Sequence, residues 1–104
     1  MFQVLVALAD GEKHGYAIIK EVARRSDGRM RLRAGTLYTV IKRFVADALI
    51  EESDERPDPA LDDERRRYYR LTENGRAVAL AEMRRLAETL ADARTKLAPT
   101  ARKP

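Results

Sequence analysis

RAGTLYTVIKRFVADAL, residues 33–49, repeats its apolar side chains at helical spacing. Leu37, Ile41, Phe44, Val45 and Ala48 fall at i, i+4, i+7, i+8 and i+11, which is one face of a helix. At about 100° per residue the opposite face carries Thr39, Lys42 and Arg43, with Thr36 and Tyr38 at its borders. A short helix with an apolar back and a front of hydroxyls and cations is suited to a groove of DNA. Its back anchors it to a domain, and its front offers hydrogen bonds and positive charge.

The flanks reinforce that reading. Residues 20–43 hold Lys20, Arg24, Arg25, Arg29, Arg31, Arg33, Lys42 and Arg43 against only Glu21 and Asp27. Residues 51–64 reverse the sign, with Glu51, Glu52, Asp54, Glu55, Asp58, Asp62, Asp63 and Glu64 against Arg56. The net charge of +4 favours polyanions only weakly; the coincidence of the basic block with the amphipathic helix says more.

Upstream, Phe2 to Leu8 reads as a helix that is apolar nearly all round, hence buried or facing a second subunit. Asp10-Gly11-Glu12-Lys13 is a turn. A second helix is expected from His14 to Arg25, with Tyr16, Ile18, Ile19, Val22 and Ala23 inward, ended by Ser26-Asp27-Gly28. Residues 29–34 form a basic connection, and the third helix spans about residues 35–48. Downstream, Leu49 to Ser53 reads as a strand and residues 54–64, with Pro57 and Pro59 among acids, as a loop. Arg67 to Leu71 is a second strand, in which Tyr68 and Tyr69 point to opposite sides and one of them is expected in the core. Thr72 caps a last helix that continues to about Ala98, where Pro99 stops it, and Glu73 sits near its positive end.

The fold class is therefore mainly α with a small β-hairpin: a winged helix-turn-helix over residues 1–72, a C-terminal dimerisation helix over 73–98 and a flexible tail over 99–104. On the last helix Leu80, Met83, Ala87, Leu90 and Leu97 recur at steps of three and four, interrupted by Arg94, and Leu86 and Ala93 extend a neighbouring stripe. A helix of about 26 residues is roughly 39 Å long, more than a domain of this size can cover. Phe2, Leu5, Leu80, Met83, Leu86, Leu90 and Leu97 are accordingly expected at a homodimer interface.

Other chemistry finds little support. There is no cysteine, only one histidine (His14, read as structural), no Gly-rich phosphate loop and no Ser-His-Asp set. No enzyme, metal site or cofactor is expected, because a lone histidine cannot build a common zinc site. No segment is long and apolar enough to span a bilayer or to serve as a signal peptide, so a cytoplasmic protein is expected.

Three pieces of the chain, in order, resemble the PadR family of transcriptional regulators. They are His14-Gly15-Tyr16, Gly35-Thr36-Leu37-Tyr38 and Arg67-Tyr68-Tyr69-Arg70-Leu71-Thr72-Glu73-Asn74-Gly75-Arg76. The resemblance covers about residues 2–98, and the single helix after the wing is similar to the short subfamily. It implies a dimeric repressor of a pseudo-palindromic operator, with Tyr38 contacting DNA, and release by a small, often aromatic effector. The chain departs from the family at Arg33-Ala34, where Ser-Pro is usual, and at Val45 and Ala48, where Glu and Gly are usual. Arg33 thereby adds a cation near the DNA backbone. Because the wing loop is acidic up to Glu64, DNA contact is expected on its return side, at Arg65, Arg66 and Arg67. A protein-interaction winged helix without DNA binding is the alternative, favoured by that acidic loop and by the missing Ser-Pro.

Overall fold

The computed structural model describes residues 1–53 and 67–98. The acidic loop at 54–64, the cations Arg65 and Arg66, and the tail at 99–104 lie outside the described residues. The elements run α1 (Phe2–Ala7), β1 (Lys13–His14), α2 (Gly15–Arg25), α3 (Ala34–Ala46), β2 (Ile50–Ser53), β3 (Tyr68–Leu71) and α4 (Glu73–Lys96). This is the expected order of helices and hairpin, with one strand more. The sheet is antiparallel in the order β1-β3-β2.

β1 occupies part of what reads as a turn. Two residues are too few to show an alternating pattern, but Lys13 pairs with Tyr69 and His14 with Tyr68. The Lys13 ammonium donates to the Ala7 carbonyl at 2.6 Å, satisfying an acceptor left open where α1 ends, and to Asp10 at 2.6 Å. The extra strand also explains the tyrosines. Their side chains do alternate, yet both are buried, because β1 sets the His14 ring edge-on to Tyr68 at 5.3 Å while Tyr69 faces the core cluster.

The core joins α1, α2, α3 and the sheet. Val4, Ile18 and Leu37 are fully covered, with Leu8, Val22, Ile41, Phe44 and Ile50 nearly so. Leu32, inside the basic connection, is also buried and pins that segment beneath its arginines. Three residues expected inward are not, the first being Ala48, which is exposed because α3 ends at Ala46, short of the expected residue 48. Tyr16 is 62% exposed, with the Lys20 ammonium 5.3 Å from its ring centroid. Val45 is 45% exposed, because α3 ends one residue later and leaves its wing side open.

The end of α3 and the start of α4 are tied together. Ala48 takes a left-handed φ of 60° as the chain leaves α3, and Leu49 N–H reaches back to the Phe44 carbonyl at 2.8 Å. A residue with a Cβ holds that conformation at a cost of about 1 kcal/mol, which glycine would avoid. The Thr72 hydroxyl accepts from Gly75 N–H at 2.9 Å, capping α4 as the sequence implies. The single proton of that hydroxyl is shared between the carbonyls of Ala48, at 2.6 Å, and Leu49, at 3.0 Å, and Thr72 N–H donates to the Leu49 carbonyl at 3.1 Å. One side chain thus closes the first turn of α4 and binds carbonyls of the connection between α3 and β2. Gly75 permits the approach: a Cβ there would stand 1.9 Å from the Leu49 oxygen.

Candidate nucleic-acid interface

α3 is packed by its back and open at its front. Leu37, Ile41 and Phe44 are 0%, 4% and 7% exposed, whereas Thr36, Tyr38, Thr39, Lys42 and Arg43 are all exposed. The Thr39 hydroxyl donates to the Gly35 carbonyl at 3.1 Å, which leaves its lone pairs outward. Arg43 has a loose partner in Asp47 at 3.8 Å, both largely in solvent, so little holds the guanidinium back. Arg33 stands at the N-cap of α3 without a side-chain hydrogen bond to the helix, as the missing Ser-Pro implies. Its cation and the open N–H groups of the first turn face the same solvent.

The helix is set against α2 and the hairpin. Gly15 opens α2 under Leu37, 3.4 Å from where its own Cβ would be, and the Tyr38 hydroxyl is 3.8 Å from the same point. On the other side, Tyr38, Thr39, Ile41, Lys42 and Val45 form one wall of an open cleft of about 650 Å³. Glu52, Arg67 and Tyr69 of the hairpin form its other wall. Burial first, and then the Glu52 charge, push the Tyr69 phenol above its ordinary pKa, so it stays a neutral wall of that cleft.

Several cations are already engaged. Glu21 takes hydrogen bonds from both Arg24, at 2.8 Å, and Arg25. Those bonds hold its carboxyl below the usual carboxylate range. A phosphate must therefore compete with Glu21 for either arginine. Arg67, expected on the DNA side of the wing, is exposed there but donates to both oxygens of Glu52, at 3.0 and 3.2 Å. Glu21 lies three and four residues before its arginines on one helix, so the spacing allows those pairs, whereas the Arg67–Glu52 pair depends on the hairpin register.

A second surface lies along α4, where Gly75 alone is buried. Leu80, Met83, Leu86, Leu90 and Leu97 are 41%, 49%, 39%, 51% and 80% exposed, and Val78 joins them at 41%. Phe2 is partly exposed beside them. Leu5 departs from expectation: it is 4% exposed, a core residue between α1 and its neighbours, with almost no surface to give a partner. Among the described residues no group of three or more His, Asp or Glu is placed to hold a metal ion, and no helix is long and apolar enough to cross a membrane.

Residues 4–81 match the profile of the Transcriptional regulator PadR-like family. A transcriptional regulator of Mycobacterium tuberculosis is 41% identical over 88 residues, spanning 85% of this chain and 75% of that protein. Among solved structures, a PadR-like transcriptional regulator from Bacillus cereus superposes with a TM-score of 0.78 at 16% identity, covering 94% of this chain and 90% of that one. Bacillus subtilis PadR, solved in complex with operator DNA, superposes at 0.65 and 17% identity over 79% of this chain and 44% of its own. These two likenesses carry the fold; the profile and the mycobacterial relative carry the kinship. This chain, a winged helix-turn-helix with a long helix after its hairpin, belongs to the PadR-like family of transcriptional regulators, a family of regulators and not of enzymes.

Proposed function

We propose that this protein is a dimeric repressor of the cytoplasm that binds a pseudo-palindromic DNA operator through α3 and the hairpin. The observation that carries the proposal is the front of α3: Thr36, Tyr38, Thr39, Lys42 and Arg43 stand in solvent on a helix whose back is locked into the core. Thr36 and Thr39 offer hydroxyls to base edges, Lys42 and Arg43 meet phosphates or guanine, and Tyr38 and Arg33 contact the backbone. On the return side of the wing Arg65, Arg66 and Arg67 extend the contact. The Bacillus subtilis relative crystallised with operator DNA supports the same use of the fold.

Residues 1–72 are the DNA-binding unit and 73–98 the dimerisation helix. Two copies cover the α4 stripe of Leu80, Met83, Leu86, Leu90 and Leu97, with Phe2 at its edge, and set two reading helices for successive major grooves. A hollow of about 220 Å³ opens on this stripe between α1 and α4, with Phe2, Leu5, Ala79, Leu80 and Met83 among its lining. A small aromatic effector seated there against a second subunit shifts the two α4 helices. The Thr72 clamp passes that shift to α3, which makes the coupling between the sites allosteric.

The test is a titration of DNA from the region upstream of the coding sequence at rising salt. Neutralising about six phosphates makes affinity fall by about 10³-fold or more between 50 and 200 mM salt. A response flat in salt, or equal affinity for unrelated duplexes, contradicts the proposal and favours a protein-binding module.

A further inference from the structure

The hairpin carries two ion pairs, Arg67 with Glu52 and Arg70 with Glu51, and they lie on opposite faces. Glu52 stands opposite Tyr69 in the register, and Arg67 precedes Tyr69 by two residues, so these three side chains share a face. Glu51 and Arg70 are partners on the other face. The face of Glu52 lines the same cleft as Thr39 and Lys42 of α3. A carboxylate therefore stands on the surface that the proposed function gives to a polyanion, and it holds Arg67, the described hairpin cation on that face, by two contacts.

We propose that Glu52 is an electrostatic brake on DNA association. It occupies the Arg67 guanidinium, and it presents its own charge to the phosphates that Arg67 would neutralise. The brake is independent of sequence: it lowers affinity for operator and random duplex by the same factor and leaves discrimination to α3. The pair is well placed for this role because both side chains are largely in solvent, 67% and 50% exposed for Arg67 and Glu52, so a phosphate can displace the carboxylate without disturbing the core. The inference rests on the DNA-binding reading, since without a duplex in the cleft Glu52 has nothing to oppose.

The test uses the full chain, with a duplex from its own upstream region and a random duplex of equal length, titrated across a salt series. Glu52→Gln keeps the size of the side chain and removes its charge. It is expected to bind both duplexes about 2- to 5-fold more tightly per subunit, and to steepen the log affinity against log salt slope by roughly 0.9 per subunit as Arg67 takes up a phosphate. Arg67→Ala is expected to cost more affinity in the Glu52→Gln background than in the wild type, because only there is the guanidinium released. Thermal unfolding of each variant confirms that the hairpin is intact. If the wild type binds and Glu52→Gln changes neither affinity nor slope, the brake is overturned while the DNA-binding reading stands. If Glu52→Gln weakens the upstream duplex alone, Glu52 reads a base and the brake is again overturned. A wild type that binds neither duplex overturns both.

Discussion

Gly75→Ala is expected to destabilise the chain by about 1–3 kcal/mol, although alanine is intrinsically the better helix former. The propensity gain for Gly→Ala inside a helix is about 1 kcal/mol. Against it, the added Cβ would lie 1.9 Å from the Leu49 carbonyl oxygen, 2.8 Å from its carbon and 3.0 Å from a Leu71 methyl. Two of those atoms are backbone, held where β2 begins, so no rotamer change relieves the contact. Overpacking of this kind costs about 1–3 kcal/mol, and pushing α4 away also loosens the Thr72 cap, worth about 1 kcal/mol. Thermal unfolding followed by circular dichroism reads the difference, about 4–8 °C for each kcal/mol in a chain of this size. Gly35→Ala is the control: a Cβ there meets nothing within 4 Å, and the melting temperature is expected to hold or rise. Equal melting temperatures for the two variants would show that α4 does not approach Leu49 so closely.

The second large effect belongs to the front of α3. Replacing Thr39, Lys42 and Arg43 together with alanine is expected to lower operator affinity by at least about 100-fold, since each base or phosphate contact of this kind contributes about 1–3 kcal/mol. Loss of two cations per subunit also makes the salt response shallower, by roughly 0.9 for each phosphate no longer neutralised. All three side chains are exposed, and the Arg43–Asp47 contact is loose, so the melting temperature should barely move. Retained operator affinity in a folded triple variant would mean that α3 does not read the duplex.

Local patterns were the legible part of this chain. Leu37, Ile41 and Phe44 recur at helical spacing and are buried; Thr72 has the chemistry of an N-cap and serves as one. What depends on distant neighbours was hidden. Val45 shares the apolar spacing, yet the hairpin stops short of it, and Tyr16 turns outward to meet Lys20. Leu5 looked available because α1 is apolar all round, but the core takes it. β1 is too short to announce itself, and without it the burial of both Tyr68 and Tyr69 has no cause. Gly75 stands in a run that suggests only a helix start; the Leu49 carbonyl above it comes from 26 residues earlier. The same limit governs the charges. The basic block was plain, and so was the helical spacing that lets Glu21 pair with Arg24 and Arg25, whereas the pairing of Arg67 with Glu52 is set by the hairpin.

The central claim, that the solvent side of α3 meets a double helix, is tested most directly by following backbone amide resonances of the intact chain as an operator duplex is added. The largest changes are expected at Thr36, Tyr38, Thr39, Lys42 and Arg43 and across the cleft at Glu52 and Arg67, with the far half of α4 little affected. Changes confined to α4, or to the Glu51 and Arg70 face of the hairpin, with Thr36 to Arg43 unmoved, would contradict it.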